Sequence, residues 1–224
     1  MAKALKETRV IARDVEMREE NNRIFAVGYA AVFDDGTPET RYEFYEFRES
    51  ISPGAFDRAL RDKQDVRALF NHDINQLLGR VSSSTVRLSV DGVGLRYEID
   101  LPDTTIGRDV AELLRRRDLS GSSFSGRVKT ERFERLYNDP SGCKYFRHID
   151  DIDLIDVGPV AFPAYKGSTA SIRSEDIERL RSEAEAILAQ AEANHDESRS
   201  EADRKSESDE LENLVQRYNH LKGN

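Results

Sequence analysis

Residues Arg23 to Phe33 read RIFAVGYAAVF. The stretch is dense in β-branched and aromatic residues and stops at Asp34-Asp35-Gly36, residue types that favour a turn. A strand is expected there, and similar signals recur outward along the chain. Tyr42 to Phe47 alternates aromatic and acidic side chains, the period-two pattern of a half-buried strand. Val66 to Phe70 is a short apolar run leading straight into Asn71-His72-Asp73. Further strands are expected at about Leu78 to Leu88 and Leu95 to Leu101, joined across the turn signal Asp91-Gly92. Others are expected near Arg127 to Leu136 and from Ile152 through Val157. Helices are fewer. Ser52-Pro53-Gly54 reads as the start of one, with Ala55, Phe56, Ala59 and Leu60 as its buried face. Thr104 or Thr105 can cap another that carries Val110, Leu113 and Leu114. Many strands with two or three helices predict an α+β domain, a mostly antiparallel β-barrel core with helices around it.

Charge draws a boundary. The chain has 224 residues and a net charge of −9. Ser174 to Asn224 holds 14 acidic and 7 basic residues, and Tyr218 is its sole aromatic. Such a segment buries too little apolar surface to offset its ordering entropy as a globule. Residues 1–173 are therefore expected to fold, and 174–224 to form a charged helical or disordered extension. Within the extension Ser174 can cap a helix striped by Ile177, Leu180, Ala184, Ile187 and Ala191. A polar linker from Asn194 to Glu210 and a second stripe from Leu211 to Leu221 follow. Stripes of this kind either pack back on their own domain or dock a partner.

Composition also excludes classes. An acidic chain lacks the basic surface that phosphate neutralisation requires, so no nucleic-acid partner is expected. No apolar run approaches the ~20 residues of a membrane helix, and no export signal opens the chain, so neither membrane nor secretion is implied. The single Cys143 cannot form an internal disulfide. The domain's two histidines, His72 and His148, lack metal-ligand spacing, and no cofactor is implied.

His72 ends an apolar strand, a position that holds a side chain rigidly at a cleft; such a histidine is more often structural than catalytic. Leu119-Ser120-Gly121-Ser122-Ser123-Phe124-Ser125-Gly126 lies between a helix and a strand, where small residues permit a tight path or expose a hydroxyl. A serine becomes a nucleophile only beside a base that a third group orients. His72, one of these serines and a carboxylate from Asp150 to Asp156 would meet that requirement, but spacing alone cannot bring them together.

Seven segments in order carry a resemblance: GYAAVFD (Gly28 to Asp34), ISPGAF (Ile51 to Phe56), LFNHD (Leu69 to Asp73), LLGR (Leu77 to Arg80), GLRYEIDLPDT (Gly94 to Thr104), LSGSSFSG (Leu119 to Gly126) and IDVGPVAFPAY (Ile155 to Tyr165). Over about residues 9 to 173 the chain resembles the prohead maturation proteases of tailed phages, which are similar in fold to the herpesvirus assemblins. The resemblance implies a serine endopeptidase with His72 as base, Ser123 as nucleophile and Asp156 as the orienting carboxylate. The family often has Glu where Asp156 stands, and a Gly followed by an aromatic where Ser125-Gly126 stands; Ser122 and Ser125 are competing hydroxyls. Arg127 and backbone N–H groups of 123–125 would meet the oxyanion. Implied substrates are the scaffolding protein, a scaffold-like segment of the major capsid protein, and the protease itself, cut inside the assembling prohead in the host cytoplasm. The partner set includes a homodimer. The alternative is a non-catalytic capsid assembly or scaffold protein that uses the tail for helical contacts.

Overall fold

The computed structural model describes residues 7–11, 15–162 and 177–194. The chain divides into two compact units, Met1–Ile172 and Arg173–Asn224. In the first unit the strands are β1 (Glu7–Ile11), β2 (Glu16–Glu20), β3 (Arg23–Val32), β4 (Tyr42–Phe44), β5 (Phe47–Ile51), β6 (Arg67–Leu69), β7 (Leu77–Arg80), β8 (Val86–Val90), β9 (Gly94–Asp100), β10 (Gly121–Arg135) and β11 (Tyr145–Val160). Helices α1 (Asp57–Arg61) and α2 (Thr105–Arg116) complete it.

Two sheets result. The smaller runs β2-β3-β9-β8, antiparallel throughout. The larger is built on the long β10–β11 antiparallel hairpin, with β1 on the outer edge of β10. The far edge of β11 takes two partners, both parallel to it. β5 pairs over Tyr145–Ile149, and β6 pairs at Asp156 and Val157. Between them Ile152 N–H donates to the Ala55 carbonyl at 3.1 Å, so the segment entering α1 fills the gap. β4 then extends β5, and β7 extends β6.

This arrangement is α+β and strand-rich, but among the described residues it is not the closed barrel expected from the sequence. The physical reason is the branch at β11. Closure needs one continuous run of strands whose ends meet, whereas β5 and β6 share one edge of β11 and leave β4 and β7 as separate ends. One core nonetheless joins both sheets and both helices. It includes Ala26, Ala30, Phe56, Val66, Leu95, Tyr97, Val110, Phe124, Ile152 and Val157. Phe124 meets Phe56 edge-on at 5.6 Å between centroids, so the residue after Ser123 anchors β10 in that core.

Several local expectations differ, among them Tyr42 to Phe47, which is broken at a left-handed Tyr45 (φ 50°) into β4 and the start of β5. The strand expected over Leu78 to Leu88 is two strands, because Ser83 and Thr85 hydroxyls bond the Arg80 carbonyl and turn the chain. Ser52 does not cap a helix; its hydroxyl donates to Asp150 at 2.5 Å, and α1 begins only at Asp57. Thr104 is the cap of α2, accepting from Gly107 N–H at 3.3 Å. In the second unit a helix runs over 177–194, with Arg181 paired to Glu178 and Arg179 to Glu183. Ile187 is exposed and Leu188 takes its place on the stripe with Ile177, Leu180 and Ala184. Ser174, the polar stretch after Asn194, the Leu211–Leu221 stripe and the Pro163–Tyr165 end of the last motif lie outside the described residues.

β11 is also held by charge. Arg147, 1% exposed, donates to Glu49 of β5 at 2.7 Å and to Glu131 of β10 at 2.5 Å, crossing three strands. Arg147→Ala would leave Glu49 buried without that cation. It is expected to cost about 3–5 kcal/mol in chemical denaturation, against well under half of that for Arg132→Ala on the exposed side of the same hairpin.

Candidate active site

Three backbone devices converge on one face of the β10–β11 ladder. The first is strand alternation. Ser123 and Ser125 lie two apart on β10 and so share a face, while Ser122 and Phe124 take the other. The second is register: Ser123 stands opposite Gly158, and Ser125 opposite Asp156. A bulge follows at Ser125/Gly126, because Gly126 pairs with Leu154 and Ile155 is the extra residue. Gly126 permits it, since a Cβ there would lie 2.5 Å from Ile152 Cγ2. The third is the turn after β6. Asn71 (φ 54°) and His72 (φ 58°) both occupy the left-handed region, which folds His72 back over the ladder. Non-glycine residues enter that region at a cost of about 1–2 kcal/mol each, Asn the most readily. Asn71 gains a compensating contact: its Oδ1 accepts from Ala161 N–H at 2.8 Å, tying the turn to the end of β11. Gly158 clears the space between, for its Cβ would fall 2.2 Å from the Leu69 carbonyl of β6.

These devices bring His72, Ser123 and Asp156 into one hydrogen-bonded chain. His72 Nδ1 bonds Asp156 Oδ1, and His72 Nε2 lies 2.6 Å from Ser123 Oγ. An ionised carboxylate only accepts, so Nδ1 carries the imidazole proton and Nε2 accepts from the Ser123 hydroxyl. Ser123 and Asp156 are fully buried, and the His72 side chain is 17% exposed. In this low-dielectric setting hydrogen bonds to charge are at their strongest. The geometry has the parts of acyl transfer: a hydroxyl, a base on it and a carboxylate on the base.

The sequence pattern of the caudovirus prohead serine protease family matches residues 12–183. The chain belongs to that family. No curated protein matches it. Among solved structures the bacteriophage T4 capsid assembly protease, gp21, is similar at 11% identity with a TM-score of 0.48, over 70% of this chain and 98% of that one.

In this prohead protease the competing hydroxyls have distinct partners. Ser122 turns to the core, where its Oγ lies 2.7 Å from Tyr97 OH. Burial pushes the Tyr97 hydroxyl well above its ordinary range, the Ser122 contact offsetting only part, so the phenol stays protonated. Gly28 of β3 makes room for this contact, since a Cβ there would lie 2.8 Å from Tyr97 OH. Ser125 donates to Asp156 Oδ2. Only Ser123 of the three has the imidazole within reach among the described contacts. His148 stands at the other end of β11, 3.1 Å from Ser50 Oγ and 3.1 Å from Glu134. No group of three His, Cys, Asp or Glu among the described residues could hold a metal ion.

Sequence reasoning gave no role to Asn71, Gly158 or the Tyr97–Ser122 pair. The NHD and VGP segments contained the first two, but their roles depend on left-handed backbone and close strand approach. Asn71→Ala is expected to lower stability by about 1–2 kcal/mol in thermal unfolding. Asn71→Gly should lose less, because glycine keeps the left-handed turn and forfeits only the bond to Ala161.

Proposed function

We propose that this prohead protease is a serine endopeptidase in which Ser123 is the nucleophile, His72 the general base and acid, and Asp156 the carboxylate that orients His72. The observation that carries the reading is the unbroken hydrogen-bond chain from Asp156 through His72 to Ser123. Ser123 Oγ adds to the scissile carbonyl while its proton passes to His72 Nε2. The imidazolium is stabilised by Asp156 and returns the proton to the leaving amine as the C–N bond breaks. Water, deprotonated by the same imidazole, then releases the acyl group. Residues 123–125 sit in a strand flanked by β1 and β11, so their N–H groups face ladder acceptors. Arg127, exposed on β10, is the donor of this segment that substrate can reach. It is assigned to the developing oxyanion.

The substrates in this reading are the scaffolding protein or a scaffold-like segment of the major capsid protein, and the chain itself. The cleavage takes place inside the prohead in the host cytoplasm. Ser123 is buried in this structure, which suits an enzyme that acts once the shell has assembled. Residues 1–173 form the protease domain, and 174–224 recruit it to the shell through helical contacts; a homodimer is compatible with the same role.

Two experiments test this. The first co-expresses the chain with the scaffold and capsid proteins of the same phage and follows intact masses. Ser123→Ala is expected to drop cleavage by roughly 10⁴-fold or more, and Asp156→Asn by about 10⁴-fold. Equal cleavage by wild type and Ser123→Ala would sink the assignment, and stable masses in both would favour the scaffold reading. In the second, deletion of 174–224 should abolish incorporation into particles; normal incorporation would remove the tail's proposed role.

A further inference from the structure

Both carboxylate oxygens of Asp156 are engaged. Oδ1 meets His72, whereas Oδ2 accepts the hydroxyl of Ser125, which is itself wholly buried. Burial disfavours a charged carboxylate, and hydrogen bonds to its oxygens offset that cost. The carboxylate aims at an imidazole only if it cannot rotate about its terminal torsion, which is a broad, soft rotor. Ser125 addresses both needs. It is the direct cross-strand partner of Asp156, on the same face as Ser123, and the bulge that follows fixes that register. Arg67, opposite Asp156 on β6, is exposed and donates to the Asp65 carbonyl at 2.9 Å.

We propose that Ser125 is a positioning residue of this protease: its hydroxyl clamps Asp156 Oδ2 and thereby aims Oδ1 at His72 Nδ1. Ser125 touches neither substrate nor the reacting atoms and acts only through Asp156. The proposal rests on the assignment of His72 and Asp156 given above. It also gives chemical sense to two small side chains facing each other. Asp156 is short, and the Ser125 hydroxyl spans the distance left to the opposite strand. Gly126 lets the strands close at that point, since any side chain there would meet Ile152 and the Asp153 carbonyl.

The test reads the clamp in the resting protein, without requiring turnover. In full-length chain labelled with ¹⁵N-histidine, the proton shared by His72 Nδ1 and Asp156 should give a low-field NMR resonance, identified by its loss in Asp156→Asn. Ser125→Ala is expected to shift that resonance upfield or broaden it away. Ser125→Cys keeps the volume with a weaker donor and serves if the alanine variant fails to fold; it should shift the resonance in the same direction. Ser125→Thr, which retains the hydroxyl, should restore it. Cleavage in the co-expression assay should fall about tenfold or more in the alanine and cysteine variants and recover in the threonine variant. A resonance unchanged in Ser125→Ala or Ser125→Cys, one lost equally in Ser125→Thr, or none in the wild type would overturn the clamp. Failure of the underlying catalytic assignment would show separately, as cleavage that survives Ser123→Ala.

Discussion

The Asp156 carboxylate has no exposed surface, and three elements meet around it. A charge with no solvent must be matched by hydrogen bonds fixed in place before it arrives, and each partner comes from a different element. Ser125 comes from β10 and His72 from the turn after β6, while Asp156 itself sits on β11, which pairs with both strands. The branched sheet is what makes this meeting possible. Had β11 carried β5 along its whole edge, β6 could not have delivered His72 to the face where Ser123 lies. The segment entering α1 separates the two partners and leaves β6 the stretch at Asp156 and Val157.

Glycine and serine at the centre of the ladder follow from the same constraint. Four strands approach closely there, and three of the positions that allow it are Gly28, Gly126 and Gly158, each with a neighbour that a Cβ would strike. The serines on β10 are small enough to be buried and polar enough to be held. Ser122 binds the second sheet through Tyr97, and Ser125 binds Asp156. The strand that carries Ser123 is thus fixed on both faces, which keeps Oγ within 2.6 Å of the imidazole.

Much of this was legible in the sequence, and the gaps have physical causes. Alternation and turn signals located β3, β9 and the cap of α2, since each depends on local residue types. The serine-rich segment read as a path between a helix and a strand because Gly and Ser disfavour strands. In fact its Gly121 to Gly126 part is the start of β10, and pairing with β1 and β11 on either side outweighs that propensity. The barrel expectation failed for a related reason: local patterns report that strands exist, while the sharing of one edge of β11 by β5 and β6 is a long-range choice. His72, Ser123 and Asp156 were singled out through ordered motifs, whereas their meeting depends on the register of β10 with β11 and on left-handed backbone at Asn71 and His72, neither of which spacing reveals.

Covalent capture of the nucleophile during maturation distinguishes Ser123 from its neighbouring serines. A fluorophosphonate added to maturing particles forms a serine O–P bond with loss of fluoride, and peptide mass mapping locates it. One adduct is expected in this chain, on Ser123, and His72→Ala should prevent it. An adduct on Ser122 or Ser125 instead, or continued cleavage in particles whose Ser123 stays unlabelled at saturating reagent, would contradict the assignment of Ser123.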